Sequence, residues 1–162
     1  MKKIKVCLIL IIMIVGISLI TGCGNKKTNK PEEPNTVATK LSKQFESLVK
    51  KEKNIETVAQ ELSKSEVIVP EVQTYEIKNG DYIAGFKEEI KGYKNAIGIA
   101  PMINTIPMIA YIFEVEEPEK FAEFLEENAD LRWNICTEAD EMKVTVVDNY
   151  IFFIMSPTSF EE

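Results

Sequence analysis

Histidine is missing from all 162 residues of the chain. Its absence removes Ser-His and Cys-His nucleophile pairs, HExxH zinc sites and any acid–base role for imidazole. No GxGxxG or GxxxxGK run occurs either, so no glycine-rich loop is present to cradle a phosphate. Cysteine is scarce, at Cys7, Cys23 and Cys136, and the only arginine and only tryptophan are neighbours, Arg132 and Trp133. Basic residues are outnumbered, 19 against 26 acidic, for a net charge of −7. Binding to nucleic acid is therefore disfavoured, because neutralising phosphates requires a basic face. Any catalysis would fall to carboxylates, lysine, tyrosine or Cys136, and no constellation of these identifies a reaction. No cofactor is expected.

What the chain does have begins at its first residues. "MKKIKVCLILIIMIVGISLITGC" places Lys2, Lys3 and Lys5 ahead of an uncharged run from Val6 to Thr21, then Gly22 and Cys23. This order of charge, apolar run and small residues is that of a secretory signal, and the run is marginal for a spanning helix of about 20 residues. Ile20-Thr21-Gly22-Cys23 resembles the lipobox of bacterial lipoproteins. The resemblance implies cleavage after Gly22 and a diacylglyceryl group on the Cys23 sulfur, which anchors the chain at the extracytoplasmic face of the cell membrane. Two acyl chains suffice for stable anchoring, at about 0.8 kcal/mol per buried CH₂. The expected organisation is a lipoprotein signal peptide at 1–22, a lipidated cysteine with a flexible tether at 23–35, and one globular domain at 36–162.

Without residues 1–22 the balance is 16 basic to 26 acidic residues, unevenly placed. Cys23 to Lys64 carries nine lysines and six acids, whereas Ser65 to Glu162 carries seven basic and twenty acidic residues. A lysine-bearing segment near anionic headgroups with an acidic domain beyond it suits a membrane-tethered protein. The tether, "GNKKTNKPEEPN", is polar throughout, with two prolines. Its twelve residues span at most about 40 Å extended and about 20 Å as a coil. With Cys7 in the signal and Cys23 lipidated, Cys136 is the one remaining thiol, so no internal disulfide forms and stability must come from a packed core.

Within the domain, Thr36 is a candidate N-cap for a helix carrying Val37, Leu41, Phe45 and Leu48. Asn54 is a candidate cap for a second helix with Ile55, Val58, Ala59 and Leu62, or the two are one bent helix. "YEIKNGDYIAGF" carries Asn79-Gly80, the signal for a tight hairpin, which would put Tyr75, Ile77, Tyr82, Ala84 and Phe86 on one face. A strand is expected at about 95–100 and another at 108–115, joined by "PMINTIP", where Pro101 and Pro107 suit strand ends. Pro118 suits a first helical turn before Phe121, Ala122, Phe124 and Leu125. "MKVTVVDNYIFFIMS" predicts two strands turning at Asp148-Asn149, the second covered on both faces. The sum is an α+β fold: a single domain with an antiparallel sheet of hairpins, packed by an N-terminal helix or helix pair and one further helix. From "GFKEEIKGYKNAIGIAP" to "VTVVDNYIFFIMS", about the last half of the chain, the order resembles an uncharacterised family of small lipoprotein domains from Gram-positive anaerobes. That resemblance brings no known activity.

Four apolar residues of the connection, Met102, Ile103, Ile106 and Met108, need a cover, because burying each is worth about 1.5–3 kcal/mol. The domain's own helices are one cover, and an envelope protein, a small ligand or the headgroup region is the other, for which adaptable methionines are suited. Trp133 belongs to a residue type enriched at binding hot spots, and equally caps a core. These five are the candidate partner-binding residues. Cys136 is expected as a small buried apolar residue. Glu138, Asp140 and Glu141 lack the spacing and glycine of a calcium loop and are expected as a solvated acidic segment, so no metal site is assigned. The leading functional expectation is a membrane-anchored binding or interaction module. The alternative is a carboxylate-dependent hydrolase of cell-wall glycan, which would need two carboxylates facing each other across a groove.

Overall fold

Two side-chain caps start the helical part of the domain. The Thr36 hydroxyl accepts from the Thr39 N–H at 3.3 Å, opening α1 (Val37–Val49). The Asn54 carbonyl accepts from the Thr57 N–H at 3.0 Å, opening α2 (Ile55–Ser63). The two helices are thus separate, each satisfying one of the donors that a helix start leaves free. The computed structural model describes residues 33–78, 80–134, 136 and 138–160. The expected signal peptide, Cys23 and most of the expected tether lie outside the described residues.

Five strands follow: β1 (Val72–Ile77), β2 (Tyr93–Pro101), β3 (Ile109–Val115), β4 (Glu141–Val147) and β5 (Tyr150–Ser156). Helix α3 (Pro118–Asn128), with proline in its first turn, links β3 to β4. All pairings are antiparallel, in the order β1-β2-β3-β5-β4. The fold is α+β, with helices packing on both faces of one sheet.

Alternation along the central strands sorts side chains between two cores. Tyr150, Phe152 and Ile154 of β5 face α1 and α2, while Ile151, Phe153 and Met155 face the side of α3. Phe152 stacks on Phe45 of α1 with ring centroids 5.3 Å apart, and Phe153 meets Phe86 at 4.7 Å. Every residue of β5 is buried, which explains its unbroken apolar run. Truncating either phenylalanine to alanine costs about 3–5 kcal/mol.

The expected hairpin across Gly80 does not form. Strand β1 pairs instead with β2, six residues in register from Val72↔Pro101 to Ile77↔Ala96. Residues 81–92 form an irregular segment lying over the α3-side core, with Ile83, Phe86 and Ile90 buried and Tyr82 85% exposed. Gly85 and Gly92 hold φ near +90°, conformations that break a continuing strand. At Gly85 an added Cβ would meet the Met155 side chain at 2.5 Å, so the segment presses on the sheet there. Backbone bonds from Lys87 to Asn128 at 2.8 Å and from Asp130 to Gly85 at 2.9 Å tie it to the end of α3. The expected common face of Tyr75, Ile77, Tyr82, Ala84 and Phe86 is therefore not built.

Candidate functional site

The sheet has two ends with different chemistry. At one end lie the start of β1, the β2–β3 connection, the start of β4 and the end of β5, fixed by the registers Val72↔Pro101, Ile109↔Met155 and Glu141↔Ser156. The start of α1 is held at the same end. Glu141 accepts from the Ala38 N–H at 3.1 Å, and the Thr158 carbonyl accepts from the Val37 N–H at 3.0 Å. At the other end lie the α1–α2 connection and the β4–β5 turn, joined by Lys53, which pairs with Asp148 at 3.3 Å and sits 5.3 Å from the Tyr150 ring centroid.

The β2–β3 connection divides its apolar residues. The Met102 N–H donates to the Glu71 carbonyl at 2.9 Å, carrying the β1–β2 ladder one step past Pro101. Beyond that bond, Met102 is 58% and Ile103 63% exposed. A turn closed by the Ile106 N–H and the Ile103 carbonyl brings the chain back, and Ile106 packs half-buried against the α1–α2 core. Met108 is 2% exposed within that core. Two copies of Pro-Met-Ile thus meet opposite fates.

Trp133 lies in the connection from α3 to β4, half-buried against the α3-side core. Its neighbour Asn134 donates from its side-chain amide to the Asn104 carbonyl, so this connection and the tip of the β2–β3 loop are linked. Cys136 is exposed, in place of the expected burial: it lies in the α3–β4 connection, belongs to neither core, and its backbone N–H donates to the Asn134 side chain at 3.4 Å. The acidic run is split among separate partners. Glu138 pairs with Arg132 at 2.6 Å, Asp140 accepts from the Thr158 N–H at 2.9 Å, and Glu141 holds α1. Among the described residues no group of three His, Cys, Asp or Glu side chains is placed to hold a metal ion.

Two depressions lie at the opposite end from the loop tip. One, of about 630 Å³, opens between the start of α2 and the strands β1 to β3, and its lining includes Lys53, Glu56, Thr74, Glu76, Asn95 and Glu114. Glu114 is held by the Asn95 amide at 2.7 Å and the Asn149 amide at 3.4 Å. Sequence reasoning did not single out these carboxylates, which come from α2, β1 and β3 and share no local motif. None of the three is buried. The other depression, of about 750 Å³, has Phe121 and Phe124 beside Lys91, Lys94, Lys120 and Glu117.

No family model matches the chain, and no curated protein and no solved structure is significantly similar to it. Function must therefore be argued from the chain's own residues.

Proposed function

We propose that this protein is a membrane-anchored extracytoplasmic lipoprotein, held by a diacylglyceryl group on Cys23, whose folded domain is a binding or interaction module. The lipobox-like Ile20-Thr21-Gly22-Cys23 and the polar segment behind it support the anchor. The single observation that carries the binding reading is the exposure of Met102 and Ile103 at a loop tip whose other apolar residues are covered. Lipid tethering raises the effective concentration of anything on the same membrane, so a small apolar contact is enough to be useful there. Among the described residues no helix is long and apolar enough to cross a membrane. Metabolic labelling with a radioactive fatty acid tests the anchor. The wild-type chain should take up label and the Cys23→Ala variant should not, and an unlabelled wild-type chain removes the proposal.

A second reading, a carboxylate-dependent hydrolase of cell-wall glycan, is favoured by one observation, the convergence of Glu56, Glu76 and Glu114 on a single cleft. Release of reducing ends from purified cell wall, abolished by Glu76→Gln or Glu114→Gln, would establish it. Wall that stays intact under the wild-type chain would dismiss it.

A further inference from the structure

We infer that the Met102–Ile103 tip seats on the surface of the bilayer that holds the lipid anchor, so that the domain stands with this end down and its polar cleft outward. The inference rests on the lipoprotein reading and names the contact that the exposed tip makes.

Three observations lead to it. First, the chain length and its point of attachment are restrictive. Nine residues separate Cys23 from Glu33, at most about 35 Å of extended chain. Glu33 is itself held on the domain, by Lys43 at 3.3 Å and Lys143 at 3.2 Å. Second, α1, which follows Glu33, starts at the same end of the sheet as the β2–β3 tip. Strands β2 and β3 lie three and two positions from β4, so the tip is roughly 10–15 Å across the sheet from Glu141, which caps α1. A short tether leaving that end keeps that end toward the membrane.

Third, the tip is suited to a headgroup layer. No charged side chain occurs from Asn95 to Phe113, in a chain of which 28% is charged, so the tip itself carries no ion into the headgroup layer, and the exposed Glu71 beside Met102 is the carboxylate that must stay in water. Val69, exposed two residues before the Glu71 carbonyl that holds Met102, adds a third apolar side chain. The acids of the neighbouring connection are engaged within the domain, Glu138 by Arg132, Asp140 by Thr158 and Glu141 by Ala38. Lys26, Lys27 and Lys30 give the segment before the domain a positive charge that suits anionic headgroups and offsets the acids at this end of the domain. A protein partner fits this position less well, because a tip turned toward the bilayer is the surface least open to other envelope proteins.

Brominated lipids read the depth of a tryptophan, and Trp133→Phe clears the background because Trp133 is the only one. In that background, Ile103→Trp and Tyr82→Trp place reporters at two exposed positions, at the tip and in the 81–92 segment, with little disturbance of either core. The full chain, lipidated in cells, is reconstituted into vesicles of phosphatidylethanolamine and phosphatidylglycerol with brominated acyl chains. Emission from position 103 should fall about twofold or more, as for a side chain at the headgroup–acyl boundary, and emission from position 82 should be unchanged. Equal emission from both positions in a chain whose mass shows diacylglyceryl at Cys23 would overturn the orientation alone. A chain whose mass lacks the lipid would overturn the anchor, and the orientation with it. A photo-crosslinker at position 102 that joins a protein in intact cells, with no lipid adduct, would also overturn the inference in favour of a protein contact.

Discussion

The ring of Tyr75 lies on the α-carbon of Gly98, its partner across β1 and β2, so closely that a Cβ at residue 98 would fall 2.3 Å from the ring's Cζ. The row continues from Gly98 to Tyr111 and Phe153, and the missing side chain lets aromatic rings close over the sheet from both sides. A tyrosine on an edge strand covering a glycine stabilises a position that glycine alone would weaken.

Gly98→Ala should therefore destabilise the domain by about 1–3 kcal/mol, the usual cost of overpacking, measured by urea unfolding. The cost should be largely absent in a Tyr75→Ala background, since the three atoms nearest the added Cβ all belong to that ring. An equal cost in both backgrounds would mean that the backbone of β2, and not the ring, resists the added methyl group.

Tyr111 carries a prediction about alkaline pH. Its hydroxyl is buried and donates to the Ala84 carbonyl at 2.9 Å. Burial first, and then the neighbouring Tyr75 phenol, push its ionisation far above the ordinary tyrosine value of 10.0. The folded state thus keeps a proton that the unfolded chain releases. The associated stability is complete below about pH 10 and is lost as pH rises above it, by about 1.4 kcal/mol per pH unit for this group. Tyr111→Phe should flatten this alkaline decline, while lowering stability at neutral pH by about 1 kcal/mol because the Ala84 carbonyl loses its donor. Unfolding midpoints across alkaline pH for both proteins check it.

Much of this architecture is legible in local sequence because local physics determines it. Thr36, Asn54 and Pro118 mark helix starts through the backbone donors that they satisfy or lack, and Asp148-Asn149 marks a two-residue turn in which Asp148 adopts φ 55°. The partner of β1 was not legible. Asn79-Gly80 is a strong short-range hairpin signal, but β1 pairs with β2 and becomes an edge of the five-stranded sheet, and nothing within twelve residues of Gly80 records that competition. The fate of the two Pro-Met-Ile copies was hidden for a related reason. Met102 and Met108 have the same flanking residues, and only the approach of α1 and α2 separates the exposed one from the buried one. The cleft's Glu56, Glu76 and Glu114 come from three elements and become neighbours only through the fold.

Glu141 acts on a helix it does not belong to. Its carboxylate accepts from the Ala38 N–H in the first turn of α1, where negative charge also meets the positive end of the helix dipole. Glu141→Ala should cost about 0.5–2 kcal/mol, in the range of lost N-caps. Glu141→Gln keeps an acceptor and loses only the charge, so it should cost about 0.3–1 kcal/mol and approach the wild type as salt is raised. A glutamine variant as unstable as the alanine variant at every salt concentration would show that a neutral acceptor at this position contributes nothing, and a glutamine variant as stable as the wild type would show that the charge contributes nothing.

Where the tether meets the domain, Glu33 supplies a prediction that needs no membrane. A hydrogen bond from Lys143, and then one from Lys43, stabilise its carboxylate and hold its pKa below the ordinary value of 4.5. The group is exposed to solvent, so its value is as a marker of position. The attachment is complete above the unfolded carboxylate's pKa and is lost as pH falls through the lowered folded value. In NMR titrations of the full chain, Glu33 should therefore titrate below 4.5, and Lys143→Met should raise its midpoint more than Lys43→Met, because the Lys143 contact is the larger cause. Salt should raise it as well, since exposed pairs are screened within about 10 Å at 0.1 M. If Glu33 titrates unshifted, the segment before the domain is free through residue 33, the reach of the proposed tether lengthens, and the proposed seating of the Met102–Ile103 tip on the bilayer loses its support.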